Sequence, residues 1–283
     1  MIPEVFDFRL TSRCNMNCPF CFGTKVNENF NLYKLYDFFS FLRKKGVNYV
    51  VITGGEPTLA DHFCDIVMLL KSLGYDIALS TNGTFWMDNN SRDFVLNNCS
   101  WIALPVESEI EREHNELRSY SMNHFHLIYS ILSHIRYDAP NIKIKIGTVV
   151  SIKNINHVSN ILNILPIEPD AWKLFQLSHT KFNYDFYKEN KIKDQDFEKL
   201  IQNIKNKYKN VKTSIDYSYE KDRNGRYFFV EPNGDIMVIN NNEEQVIGNY
   251  CDNGEELMKK IEKLVDARRT NANFHNTFVD DKR

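Results

Sequence analysis

Cys14, Cys18 and Cys21 form a C-x3-C-x2-C run directly after an extended apolar segment. Three thiolates can hold three irons of a [4Fe–4S] cluster and leave the fourth iron open, which makes an iron–sulfur site a catalyst rather than an electron relay. Zinc is the competing reading, and a structural zinc site asks for a fourth Cys or His at a close spacing. No such residue stands nearby. The remaining cysteines are single: Cys64 and Cys99 lie in apolar stretches and read as small core side chains, and Cys251 follows polar residues as a surface thiol. Unpaired cysteines without a signal peptide point to a reducing compartment, the cytoplasm, rather than to a disulfide scaffold.

Two further motifs end apolar runs. In Thr53-Gly54-Gly55-Glu56-Pro57 the glycines allow close backbone approach, exposed backbone N–H and C=O groups can take a polar head group, and Glu56 can meet a cation. In Ser80-Thr81-Asn82-Gly83-Thr84 hydroxyl and amide groups can hydrogen-bond a sugar or a carboxylate. Taken singly, the first is equally a plain turn and the second an ordinary polar strand exit.

The elements that must position these residues alternate between strand and helix patterns. Strand-like runs at 5–10, 49–53, 76–80, 101–106, 142–150 and 172–176 are each followed by a helical pattern, at 32–45, 60–73, 92–97, 121–135, 155–165 and 195–207. Such βα units predict an α/β fold, a partial (βα)6 TIM-type barrel over residues 1–210, with its sites at the carboxyl ends of the strands. After residue 210 the character changes. Strand-like runs at 216–219, 227–230 and 236–239 with a turn at Pro232-Asn233-Gly234-Asp235, then a helix over 254–267 and a loose polar tail over 268–283, predict a small C-terminal β-hairpin and helix appendage over residues 211–283.

The three cysteines, the Gly-Gly-Glu-Pro turn and the Ser-Thr-Asn-Gly exit, in this order on successive strand ends, resemble the radical S-adenosylmethionine (SAM) superfamily over residues 5–180. The resemblance implies that Cys14, Cys18 and Cys21 ligate a [4Fe–4S] cluster whose open iron takes the amino and carboxylate groups of SAM. It further implies that Phe20 packs by the adenine, that Gly54, Gly55 and Glu56 hold the methionine amino group, and that Ser80 and Asn82 serve the ribose or carboxylate side. An external low-potential reductant such as flavodoxin or ferredoxin would then drive cleavage of SAM to a 5′-deoxyadenosyl radical. Such a radical attacks almost any C–H bond, so the site must exclude water and stray groups.

Cys251 is the only cysteine after residue 99, so auxiliary clusters are not expected. Cys18 to Lys25, Trp172 to Gln176 and Tyr227 to Val230 are similar to viperin and its microbial relatives, which dehydrate a nucleoside triphosphate to its 3′-deoxy-3′,4′-didehydro form. The segment 113–119 departs from that pattern and looks closer to the general superfamily form. A triphosphate would need fixed cations at strand ends, for which Lys145, Lys173, Arg118, Arg223 and Arg226 are candidates, with Gln176 beside them. Lys173, on a central strand, needs either an anionic ligand or a neighbouring carboxylate. Glu107, Glu109, His114, His124 and His126 lie near a strand end or helix start without singling out an acid or base. Two rival readings take the same radical to a small peptide or other metabolite, or leave the fold as a non-catalytic binding module. A formal charge of −2 gives no footprint for nucleic acid, and no apolar run approaches the ~18–20 residues that span a bilayer, so neither nucleic acid nor membrane is an expected partner.

Overall fold

The computed structural model of the chain describes residues 1–278. β1 (Val5–Thr11) is followed by α1 (Leu32–Lys44), β2 (Tyr49–Gly54), α2 (Phe63–Ser72), β3 (Asp76–Ser80), α3 (Asn89–Asn98) and β4 (Trp101–Pro105). The helices α4 (Glu111–Arg118) and α5 (His124–Asp138) lead to β5 (Lys143–Val150), and α6 (Ile161–Ile164) leads to β6 (Ala171–Gln176). Then come α7 (Tyr184–Asn190), α8 (Asp194–Lys207), β7 (Ser214–Ser218), β8 (Phe228–Val230), β9 (Asp235–Asn240), β10 (Glu243–Asn249), α9 (Gly254–Leu264) and α10 (Ala267–Phe278).

All strands join one sheet in the order β10-β9-β8-β1-β2-β3-β4-β5-β6-β7, open between its two edges. β1 to β7 run parallel, β8 lies parallel beside β1, and β9 and β10 return antiparallel. This is the expected partial barrel. Its strands carry a two-residue alternation. Phe6, Phe8, Leu10, Ile52, Leu79, Ile102, Ile144 and Trp172 pack outward under helices, whose buried stripes include Leu35, Phe39 and Leu42 of α1 and Phe197, Ile201 and Ile204 of α8. Asp7, Arg9, Thr53, Ser80, Lys145 and Lys173 face the concave interior.

Three expectations change. The run near 216 does not belong to the hairpin; as β7 it adds to β6 with Lys173 opposite Asp216, because the amphipathic α8 makes the crossover that a further parallel strand requires. The tail from residue 268 is helical through Phe278 as α10, and residues 279–283 lie outside the described residues. Phe274 and Phe278 of α10 pack with Val5, Val51, Ala78, Trp101 and Ala171 at the amino-terminal ends of the strands, closing the interior from below. Cys64 is exposed on α2, while Cys99 is buried as expected. No helix among the described residues is long and apolar enough to cross a membrane.

Candidate active site

Residues 12–31 contain no helix or strand, yet they are pinned to the strand exits from several sides. The N–H groups of Gly55 and Glu56 donate to the Thr11 and Arg13 carbonyls, each at 2.7 Å. A Cβ on Gly55 would stand 2.1 Å from the Arg13 oxygen and one on Gly54 2.4 Å from the Thr11 oxygen, so both glycines are required by the approach of the cysteine loop itself. Asn82 Nδ2 donates to Asn15 Oδ1 at 2.8 Å and lies 4.0 Å from Cys14 Sγ. Asn17 N–H donates to the Ser119 carbonyl at 3.1 Å, and Asn183 Nδ2 to that of Phe20 at 3.3 Å.

Cys14, Cys18 and Cys21 line one cavity of about 390 Å³ that fills the barrel interior. Burial pushes the Cys14 and Cys18 thiols up, and each feels the neighbouring sulfurs. Arg118 Nη1 lies 3.9 Å from Cys18 Sγ and opposes that rise, while its Nε donates to Glu107 Oε1 at 2.8 Å. Arg118 also lies over the Phe20 ring, 5.2 Å from its centroid, so this cation belongs to the cysteine loop and is already paired. Phe20 packs with Leu117 and Leu177 on the cavity wall. Among the described residues no three His, Cys, Asp or Glu side chains converge as they would on a single metal ion. A cluster asks for less convergence, since each thiolate takes a different iron.

Glu56 does not face the cavity. Its carboxylate is fully buried and accepts from Thr58 N, Thr58 Oγ1, Thr81 Oγ1 and, at 2.7 Å, Asn82 N, so it braces the β2 exit against the β3 exit instead of meeting a cation. Burial pushes this carboxyl upward and those hydrogen bonds oppose the rise. Gly54, Gly55, Ser80 and Asn82 do line the cavity, and the Ser80 hydroxyl has no hydrogen-bond partner among the described residues.

Deeper in the barrel stand the cations. Lys173 is buried with its ammonium bonded to Asp216 and to Asn273 of α10, so the neighbouring carboxylate answers the cost of burial. Lys145 has no carboxylate within ion-pair distance among the described residues; it lies over the Phe278 ring at 4.3 Å, and burial with nearby Lys173 pulls it down to about 7. Asp7, half-buried on the same cavity, is pushed up to about 7 by desolvation, against Arg9 and Lys145. Arg223 lines the cavity, stacks on Phe22 at 4.0 Å and donates to the His179 carbonyl, with desolvation lowering it to about 10. Arg226 donates to Ser218 and Asn273. The Gln176 amide is committed to Ile192 O, Asp194 and the Glu220 N–H, so it fastens loops around the cavity mouth. Asp7 was missed in the sequence, although the alternation Val5-Phe6-Asp7-Phe8-Arg9-Leu10 already sets Asp7 and Arg9 on the face opposite three core side chains.

The groups near the β4 exit separate by environment. Glu109 accepts from Asn160 at 2.7 Å, and His126 is exposed beside Glu111. His114 and His124 are fully buried with rings 5.1 Å apart and nearly parallel. Desolvation takes His124 to about 4 and His114 well below the usual imidazole range, so both are neutral.

Residues 8–125 match the family model described as the radical SAM superfamily. An S-adenosylmethionine-dependent nucleotide dehydratase of Flammeovirga pacifica is 28% identical over 100% of this chain and 95% of its own length. A protein of the same description from a Thermoplasmatales archaeon is 23% identical over 85% of each chain. Among solved structures, Streptococcus suis SuiB bound to S-adenosylmethionine superposes with a TM-score of 0.71 at 14% identity, over 95% of this chain and 68% of that one.

Proposed function

We propose that this chain, a radical SAM enzyme, dehydrates a nucleoside triphosphate to its 3′-deoxy-3′,4′-didehydro form. The observation that carries the reading is the cavity itself, which runs from the three cysteines to Lys145 and Arg223, two interior cations with no carboxylate bonded to them among the described residues. The two relatives named nucleotide dehydratases, which align along most of the chain, support the same reading. The peptide reading has no observation of its own in its favour.

The donor set fits a [4Fe–4S] cluster and SAM. Cys14, Cys18 and Cys21 open on one cavity, with a guanidinium set to compensate thiolate charge at Cys18. Bound together, the cluster and SAM supply a carbon-centred radical that removes a hydrogen atom from the substrate. The chain's own residues then have separate tasks. The free hydroxyl of Ser80 and the backbone of Gly54 and Gly55 would bind the polar end of SAM, and Phe20 would offer an aromatic face to its adenine. Lys145 and Arg223 would hold the triphosphate, and α10 would keep water from entering below. A low-potential donor such as flavodoxin or ferredoxin, met in the cytoplasm, completes the reading.

The test is anaerobic incubation of the reduced, cluster-loaded protein with SAM and each of the four common ribonucleoside triphosphates. One of them should raise 5′-deoxyadenosine above the substrate-free level and yield a product lighter by one water. If none does, the nucleotide reading falls; if no 5′-deoxyadenosine forms at all from loaded protein, SAM cleavage falls with it.

A further inference from the structure

Between the β3 and β4 exits the two buried histidines form a continuous hydrogen-bonded line. The Glu107 N–H donates to His114 Nδ1 at 3.1 Å, His114 Nε2 meets His124 Nδ1 at 2.8 Å, and His124 Nε2 meets the Asn82 carbonyl at 2.7 Å. The ends fix the protons. A backbone N–H can only donate, so His114 Nδ1 accepts and its Nε2 carries the hydrogen; a carbonyl can only accept, so His124 Nε2 carries the other. Both rings are therefore neutral Nε2–H tautomers, with one proton for each link.

What the line joins is informative. Asn82, at one end, holds Asn15 beside Cys14. Glu107, at the other, holds Arg118, whose guanidinium approaches Cys18 Sγ, and also accepts the Val149 N–H at 2.7 Å. The two arms that grip the cysteine loop are thus cross-tied through the imidazoles. Phe125 and Tyr120 cover the rings edge-on, and Arg118 is the charged group whose field, with burial, disfavours their protonation. An apolar pair in their place would leave the Glu107 N–H and the Asn82 carbonyl buried without partners, so the imidazoles are what ties the two ends together.

We infer that His114 and His124 are positioning residues that hold the Cys14 arm and the Cys18 arm in register, and so set the geometry in which SAM is bound. The inference rests on the radical SAM reading of the cysteine loop and adds to it a pair of residues outside the cavity wall.

The experiment compares cluster-loaded wild type with His124→Gln and His124→Leu. A glutamine amide can accept from His114 and donate to Asn82, whereas leucine leaves both partners unsatisfied. The leucine variant should weaken SAM binding about tenfold or more and shift the cluster's reduction potential, with kcat changed much less, and glutamine should restore both. A merely structural role would lower the melting temperature and leave SAM affinity and potential alone; that result overturns the inference. If the leucine variant does not fold, nitrogen-15 imidazole spectra of the full-length wild type decide: two Nε2–H tautomers at neutral pH support the line, and an Nδ1–H tautomer or an imidazolium overturns it. Wild type that neither binds nor cleaves SAM would instead remove the reading beneath, whatever the variants do.

Discussion

At the residue scale the interior cations differ in what they are free to do. Lys173 is spent on Asp216 and Asn273, and Arg118 on Glu107, whereas Lys145 rests on the Phe278 ring with its charge pulled down to about 7. An anionic ligand binds the protonated ammonium, so below that value the group is ready and above it the ligand must recruit a proton. The KM of the responding nucleotide should therefore rise as pH increases above about 7, by up to roughly tenfold per pH unit. Lys145→Met should flatten the dependence and raise KM at low pH, measured as initial rates of 5′-deoxyadenosine formation across pH; an unchanged profile in the variant would remove Lys145 from the binding site. Strand alternation marked Lys173 as interior in the sequence, with an anionic ligand or a neighbouring carboxylate as its remedy, and Lys145 only as a strand-end candidate. The choice for Lys173 stayed open because the carboxylate that claims it lies 43 positions away, on a strand read as part of the hairpin. Glu56 escaped for a related reason: its oxygens accept from Thr58, Thr81 and Asn82, and the last two belong to a strand exit that looks like a ligand contact until the β2 and β3 exits are brought together.

At the scale of elements, α10 shows why a polar run can be well ordered. Arg268-Arg269-Thr270-Asn271-Ala272-Asn273 has the composition of a loose tail, and only Phe274 and Phe278, four residues apart, share a helix face. Those rings stack at 4.9 Å and fill the floor of the barrel against Val5, Val51 and Trp101. Thr270 Oγ1 donates to the Arg226 carbonyl at 2.6 Å and Asn271 Oδ1 accepts the Glu4 N–H at 2.9 Å, which fixes the helix across the open side of the sheet. Removing a ring from such a site loses its burial and leaves a hole, at about 3 kcal/mol. Phe274→Ala should lower the urea midpoint accordingly while the denaturant slope stays constant. A loss below about 0.5 kcal/mol, the usual range for surface positions, would mean that α10 does not seal the floor. β10 was missed in the sequence for the complementary reason: an edge strand with Glu243, Glu244 and Gln245 in a row has no apolar alternation to display.

At the scale of the molecule, the parallel part of the sheet was legible because each βα unit repeats its own hydrophobic signature, while the extension of the sheet beyond β1 depends on pairings between distant segments. β8 joins β1 across more than two hundred residues, and no local pattern announces that. The cysteine loop is likewise bound to nearly every part of the fold: to β2 through Gly55 and Glu56, to β3 through Asn82, to α4 through Ser119, to the segment after β6 through Asn183, and to the hairpin through the Asn29 N–H on the Pro232 carbonyl. A ligand that orders this loop is thereby linked to the stability of the whole sheet. Cluster-loaded protein should unfold at a higher temperature than cluster-free protein, and SAM at about a hundred times its dissociation constant should add about 2.7 kcal/mol, a rise of roughly 5 °C. If SAM is anchored through a cluster held by the three cysteines, as proposed above, the addition should appear only when the cluster is present. Thermal melts of cluster-free and cluster-loaded protein, each with and without SAM, separate the cases. An equal SAM shift in both preparations would mean that SAM is held by the strand exits alone, and the cysteines would then lose their part in binding it.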